Sequence, residues 1–235
     1  VTMMKLAAVA ALAMLGSLRA QAVEVSAYTE EWPPYNYEHE GKVKGIATDI
    51  LRATCVKAEV ACEFALVPWA RAYHMAQTRP GAVVYSTARK AAREAEFLWV
   101  GPILPRTTWI YGRPGLEKTV RTLSDLTTLR IGIVRGEASQ QDLAAAGVSE
   151  SALRLESTND KVLRLFTTNL VDAMVDTEVG MAWNLRSAGL GAASVSRLLK
   201  LTDEGAYYYA FNLKTDPELI KKLQTALDKL RRDGH

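Results

Sequence analysis

The chain has 235 residues, of which 49% are hydrophobic and 23% charged, the balance of an ordinary globular protein with enough length for one large core or two smaller ones. Its 29 basic and 26 acidic side chains lack the marked basic excess of a nucleic-acid binder. The composition equally argues against disorder.

The first segment reads as an export signal. Lys5 supplies the charged start, Leu6 to Leu15 the apolar stretch, and Ala20-Gln21-Ala22 the small-x-small pattern before a cleavage site. That apolar stretch is shorter than the about 20 residues a bilayer core requires. The expected mature chain begins at Val23. Losing Lys5 and Arg19 leaves 27 basic side chains against 26 acidic, a net charge of +1. Export would place the protein in the periplasm, where disulfides persist.

Val23 to Thr29 is the first expected strand. It runs into "EEWPPYNYEHEGKVKG", where Trp32, Tyr35 and Tyr37 surround Pro33-Pro34. The prolines bar helix and stiffen the loop. At the carboxyl end of a strand such a loop faces a binding crevice, although an aromatic mini-core pinning the loop has the same pattern. Cys55 and Cys62, the only two cysteines, are expected to bridge a short loop between a helix and the next strand. Two buried thiols are the alternative. No metal site is expected, because His39, His74 and His235 form no ligand spacing with them.

Strands are expected at Cys62 to Val67, Ala82 to Ser86, Trp109 to Gly112, Arg130 to Val134, Val171 to Val175 and Tyr207 to Asn212. Helical spacing places Trp69, Ala72, Tyr73 and Ala76 on one face, and Val162, Leu163 and Phe166 on another. The last helix carries Leu219, Ile220, Leu223, Ala226, Leu227 and Leu230 along one side. Asp216 caps its start, Pro217 occupies its first turn and Gly234 follows its end.

The segment "STARKAAREAEF" places Arg89, Lys90 and Arg93 after an apolar strand. A solvated turn with a Lys90–Glu94 pair is one reading, but it leaves Arg89 and Arg93 repelling each other. Hydroxyls at Ser86 and Thr87, amides at a helical start and a guanidinium fork would make a carboxylate cradle instead.

Alternating strands and helices predict an α/β protein with largely parallel sheets. The extended stretch "GPILPRTTWIYGRPG" carries the chain to a second sheet, and Tyr207 to Asn212 carries it back. Two lobes with a cleft between them follow. The expected boundaries are a signal peptide over 1–22, lobe one over 23–108, lobe two over 109–204, and a return to lobe one over 205–235.

The order of "TEEWPPYNYEHEGKVKGIATDIL", "VPWARAYHMAQ", "STARKAAREAEFLWVGPI", "RIGIVRGEAS", "NLVDAMVDTEVGMAW" and "YYYAFNLKTDPELIKKLQTALDKLRRDG" resembles the periplasmic solute-binding proteins, family 3, which serve ABC importers of polar amino acids. The resemblance covers nearly all of the mature chain. It implies the type II fold of two α/β lobes with a two-strand hinge, and a small disulfide loop of the kind some members carry at Cys55 and Cys62. By position, Arg93 matches the arginine gripping a ligand's α-carboxylate, Trp32 the aromatic against the ligand, and Asp176 the acid taking the α-ammonium. Ser139 matches a polar group of lobe two, and Ser86 falls where a hydroxyl or backbone contact is usual.

Each of these positions also has a purely structural reading. Asp176 would be a helix-start acid, Ser139 a cap and Trp32 core. Ala47 and Ala138 stand where many members have aspartate and threonine, and "KAAR" replaces the usual threonine-proline-glutamate-arginine. With Tyr35, and with Arg89 and Arg71 as further cations near the cleft, a dicarboxylate or other anion becomes an expected ligand beside an amino acid. The expected role is a monomeric carrier, without cofactor, that closes on a small molecule and docks on importer membrane subunits. The rival readings are an enzyme on the same fold, resembling cyclohexadienyl dehydratases, with Asp176, Glu178 or Glu137 as general acid, and an extracytoplasmic sensory module with a membrane partner.

Overall fold

A computed structural model describes residues 25–234; the expected export signal lies outside the described residues. Two five-stranded sheets organise the chain. The first has the order β4-β1-β5-β12-β6 and is built from β1 (Val25–Thr29), β4 (Cys62–Leu66), β5 (Ala82–Ala88), β6 (Leu98–Pro105) and β12 (Ala206–Phe211). Strands β1, β4 and β5 run parallel, while β12 lies antiparallel between β5 and β6. The second has the order β11-β7-β10-β8-β9, from β7 (Thr108–Gly112), β8 (Ile131–Val134), β9 (Leu153–Glu156), β10 (Ala173–Asp176) and β11 (Ser196–Thr202). Here β8, β9 and β10 are parallel and β7 is antiparallel to β10 and β11. A small hairpin, β2 (Tyr37–His39) with β3 (Lys42–Lys44), follows the aromatic loop.

Helices α1 (Ile46–Lys57), α2 (Trp69–Thr78) and α6 (Pro217–Arg232) cover the first sheet; α3 (Ala138–Ala145), α4 (Asn159–Thr167) and α5 (Glu178–Ser187) accompany the second. The expected periodicities hold where they matter. Trp69, Ala72 and Ala76 are buried on α2, Val162 and Phe166 on α4, and Leu223, Ala226 and Leu227 on α6. Asp216 accepts the Glu218 amide at 2.9 Å, with Pro217 in the first turn. Each sheet has its own apolar centre. One packs Leu51, Tyr85, Phe211 and Leu223, the other Ile110, Leu126, Ile131 and Leu143. Burial of such side chains contributes about 1.5–3 kcal/mol apiece. Among the described residues no helix is long and apolar enough to cross a membrane.

The chain passes from β6 to β7 through Arg106 and Thr107, and returns from β11 to β12 through residues 203–205. The two crossings lie side by side, with the Arg106 amide donating to the Gly205 carbonyl at 3.2 Å and Ala206 opposite Pro105. The crossings are therefore shorter than the sequence suggests. Most of "GPILPRTTWIYGRPG" is absorbed into β6 and β7, because both segments find ladder partners.

Cys55 of α1 and Cys62, the first residue of β4, are bridged. Closing so short a loop removes unfolded-chain entropy worth about 2–3 kcal/mol. Reduction should therefore lower the thermal midpoint by about 5–10 °C, as read by circular dichroism with and without a thiol reductant. An unchanged midpoint would mean that the bridge adds nothing to stability.

Candidate functional site

The carboxyl ends of parallel strands β1, β5, β8 and β10 converge on one crevice, the usual place for a ligand in open α/β sheets. Glu30 follows β1, Ser86 lies near the end of β5, Glu137 follows β8 and Asp176 ends β10. They border a cavity of about 40 Å³, together with Trp32, Arg93 and Ser139.

The aromatic loop is tied down from behind. The Asn36 amide donates to the Glu30 carbonyl at 2.8 Å, and the Ser86 hydroxyl donates to Asn36 Oδ1 at 2.5 Å. Ser86 has φ 60, a left-handed conformation that a non-glycine residue holds only when its surroundings over-determine it. Gly45 backs the same loop at φ 118, where a Cβ would stand 2.4 Å from the Tyr35 carbonyl oxygen; only glycine fits there. Trp32 stacks against Tyr35 with ring centres 4.3 Å apart and donates its indole N–H to Asp176 Oδ1 at 3.3 Å. Tyr35 stands behind Trp32 rather than in the cavity wall, and its hydroxyl donates to Thr177 Oγ1 at 3.1 Å.

Arg93 lies in a 3₁₀ turn, Ala91–Glu96, and is 4% exposed. Its Nη2 donates to the Gly136 carbonyl at 2.9 Å, and the guanidinium sits 5.2 Å from the centre of the Tyr73 ring and 5.9 Å from that of Trp69. Burial pulls its pKa down, yet an arginine stays charged from so high a starting value.

Asp176 is buried at the start of α5. Besides Trp32 it accepts the Thr177 amide at 2.7 Å and the Asn184 side-chain amide at 2.8 Å. A Cβ on Gly180 would lie 2.3 Å from Asp176 Oδ1, so α5 needs a glycine here to let the carboxylate in. Burial raises the Asp176 pKa to about 7 against the pull of these three donors. Ser139 is buried in the cavity wall, but Glu137 holds the cap position of α3, so Ser139 is not the cap.

The crevice also contains residues that the motif comparison did not single out as ligand contacts. Glu30 is 6% exposed and lines the same cavity as Glu137. Burial, with Glu137 beside it, raises Glu30 well above the carboxylate range. Burial and nearby Asp176 push Glu137 up to about 8. Asn159, on α4, donates to Glu30 Oε2 at 3.2 Å. Arg106, from the first crossing, is buried in the wall and bonds to Asp142, which also receives Lys90.

Arg89 and Arg71 do not join the cavity. Arg89 forks onto Glu94, through Nε at 2.8 Å and Nη2 at 2.5 Å, and lies over Trp99 and Tyr208. Arg71 is exposed on α2. The Lys90–Glu94 pair of the solvated-turn reading is replaced by Arg89–Glu94 and Lys90–Asp142, so Arg89 and Arg93 never confront one another. This corrects the expectation of extra cations at the cleft. Three carboxyls line the cavity against two guanidiniums, one of which already serves Asp142.

Comparison with known proteins follows the same lines. An ancestral arginine-binding protein solved with arginine is 21% identical, with a TM-score of 0.78 over 89% of this chain and 93% of its own. A histidine kinase sensor domain with similarity to periplasmic binding proteins is 21% identical, with a TM-score of 0.79 over 89% and 91%. A relative from Escherichia coli (strain K12), named ABC transporter arginine-binding protein 2, is 24% identical over 98% of this chain and 95% of its own. The model of one family spans residues 25–235, and by that match the chain belongs to the bacterial extracellular solute-binding proteins, family 3.

Proposed function

We propose that the protein closes around an amino acid with a cationic side chain, such as arginine, and presents it to an ABC importer. The observation that carries this reading is the charge pattern of the cavity. Arg93 suits the α-carboxylate and Asp176 the α-ammonium, while Glu30 and Glu137 remain for a second positive group. Trp32 offers a flat apolar face for the ligand stem, and Ser86 and Ser139 add polar contacts. The arginine-binding names of two relatives support the same choice. An anionic ligand has less support, since Arg89 is committed to Glu94.

Trp32, Glu30, Ser86 and Arg93 belong to the lobe around the first sheet; Glu137, Ser139 and Asp176 belong to the second. We take 23–108 with 205–235 as one lobe and 109–204 as the other, with residues 1–22 as the export signal and the carrier as a monomer. A ligand held by both groups binds the closed form better than the open one, and so shifts the balance toward closure. Closure is then what an importer reads.

A thermal-shift screen of arginine, lysine, glutamine, glutamate and small dicarboxylates tests this. A cationic amino acid at 100 times its Kd should raise the midpoint by about 5–10 °C. A response to dicarboxylates alone would overturn the reading.

A further inference from the structure

Glu30 and Glu137 come from different lobes, after β1 and β8, and both line one small cavity together with a third acid, Asp176. Carboxylates crowded into one small cavity resist ionising together unless positive groups lie beside them. The groups around them supply little of that. Asn159 of α4 gives Glu30 a neutral amide, and Asp176 at the end of β10 adds negative charge to both. Arg93, from the 3₁₀ turn, and Arg106, from the crossing, are the positive groups facing Glu137. Their Nη2 atoms are spent on the Gly136 carbonyl and on Asp142. The cavity wall contains no lysine or histidine among the described residues.

We infer that ligand capture here is a proton-for-cation exchange: the Glu30–Glu137 pair holds one shared proton when no cation lies against it, and releases that proton when the cationic end of a ligand side chain takes its place. The inference rests on the cationic-ligand reading above. The elevated titration of both carboxyls agrees with it. The exchange keeps the charge of the closed cleft constant, one cation entering as one proton leaves for solvent. Affinity for such a ligand should rise about tenfold per pH unit while the pair is protonated. A neutral analogue of the same shape should show no such slope.

Calorimetry of the whole protein at pH 7 with L-arginine and with L-citrulline, in phosphate and in Tris, counts the protons from the buffer dependence of the heat. Close to one proton released with arginine and near zero with citrulline is the expected result. In Glu137→Gln the release should vanish, and preference should move at least tenfold toward citrulline. Glu30→Gln provides a second variant should the first fail to fold, and the wild-type buffer comparison needs neither. Arginine binding without buffer-dependent heat, or with the same proton count in a folded variant, overturns the exchange and leaves the cationic-ligand reading standing. Failure of arginine and lysine to bind, with binding of a neutral or acidic amino acid, overturns both.

Discussion

Replacing Arg93 with alanine should weaken arginine binding by ~2–5 kcal/mol, the cost of leaving a buried anionic partner unpaired. That is about 30-fold to several thousand-fold in affinity. The guanidinium is buried beside the Tyr73 and Trp69 rings and also reaches the Gly136 carbonyl across the cleft. Its removal therefore takes away the proposed anchor for the ligand and a contact between the lobes. Arg93→Lys separates the two effects. It keeps the charge but loses the fork, and a point charge cannot hold a carboxylate in two parallel bonds. Its affinity should fall between wild type and Arg93→Ala. Titration calorimetry with L-arginine decides the matter, and unchanged affinity in Arg93→Ala would remove this residue from the site.

Much of this arrangement is legible in the sequence, for a reason particular to the fold. Cavity-lining residues at the carboxyl ends of strands sit beside short apolar runs that are easy to locate, as Ser86 does in β5 and Asp176 at the end of β10. Trp32 is legible because prolines mark its loop. Side chains whose partners are chosen by the exact turn geometry or lie far along the chain are not. Arg89 was expected to serve the cleft because nothing local distinguishes it from Arg93. A 3₁₀ turn in place of an α-turn brings Glu94 onto Arg89, five residues away, and turns Arg93 inward. Arg106 looks like one more residue of a proline-rich extended run, and only the crossing between sheets buries it. Lys90 finds Asp142 across 52 positions.

The acids show the same limit from the other side. Glu30 stands beside Glu31, and the two are indistinguishable as letters. The strand direction of β1 sends Glu30 into the cavity, while Glu31 accepts the Glu38 amide toward the surface. Glu137 is visible as a candidate acid, but its meaning depends on Glu30 lying opposite in the other lobe. In the fold, the edge strands β9 and β11 escaped because neither has a strong run of β-branched residues; they are strands because β8 and β7 offer them ladder partners.

Raising the pH should destabilise the closed cleft when no ligand is bound. Glu137 at about 8 and Asp176 at about 7 titrate above their ordinary values of 4.5 and 3.8. The closed form therefore binds more protons than an open or unfolded chain between about pH 4 and pH 8. Its advantage is complete below pH 4 and is lost as the pH rises through 7 and 8. For Asp176 alone the loss is on the order of 4 kcal/mol. Opening of the cleft limits it, because an open cleft restores water to the carboxyls without unfolding either lobe. The expected sequence on going from pH 5 to pH 8 is thus a larger radius of gyration in small-angle scattering, accompanied by a modest fall in thermal midpoint. Saturating L-arginine should reverse both at pH 8, since the ligand's positive charges replace the lost protons. In Glu137→Gln the amide keeps a donor without titrating, so the pH-driven expansion should shrink. A radius that stays constant from pH 5 to pH 8 in the wild type would mean that these acids do not govern closure.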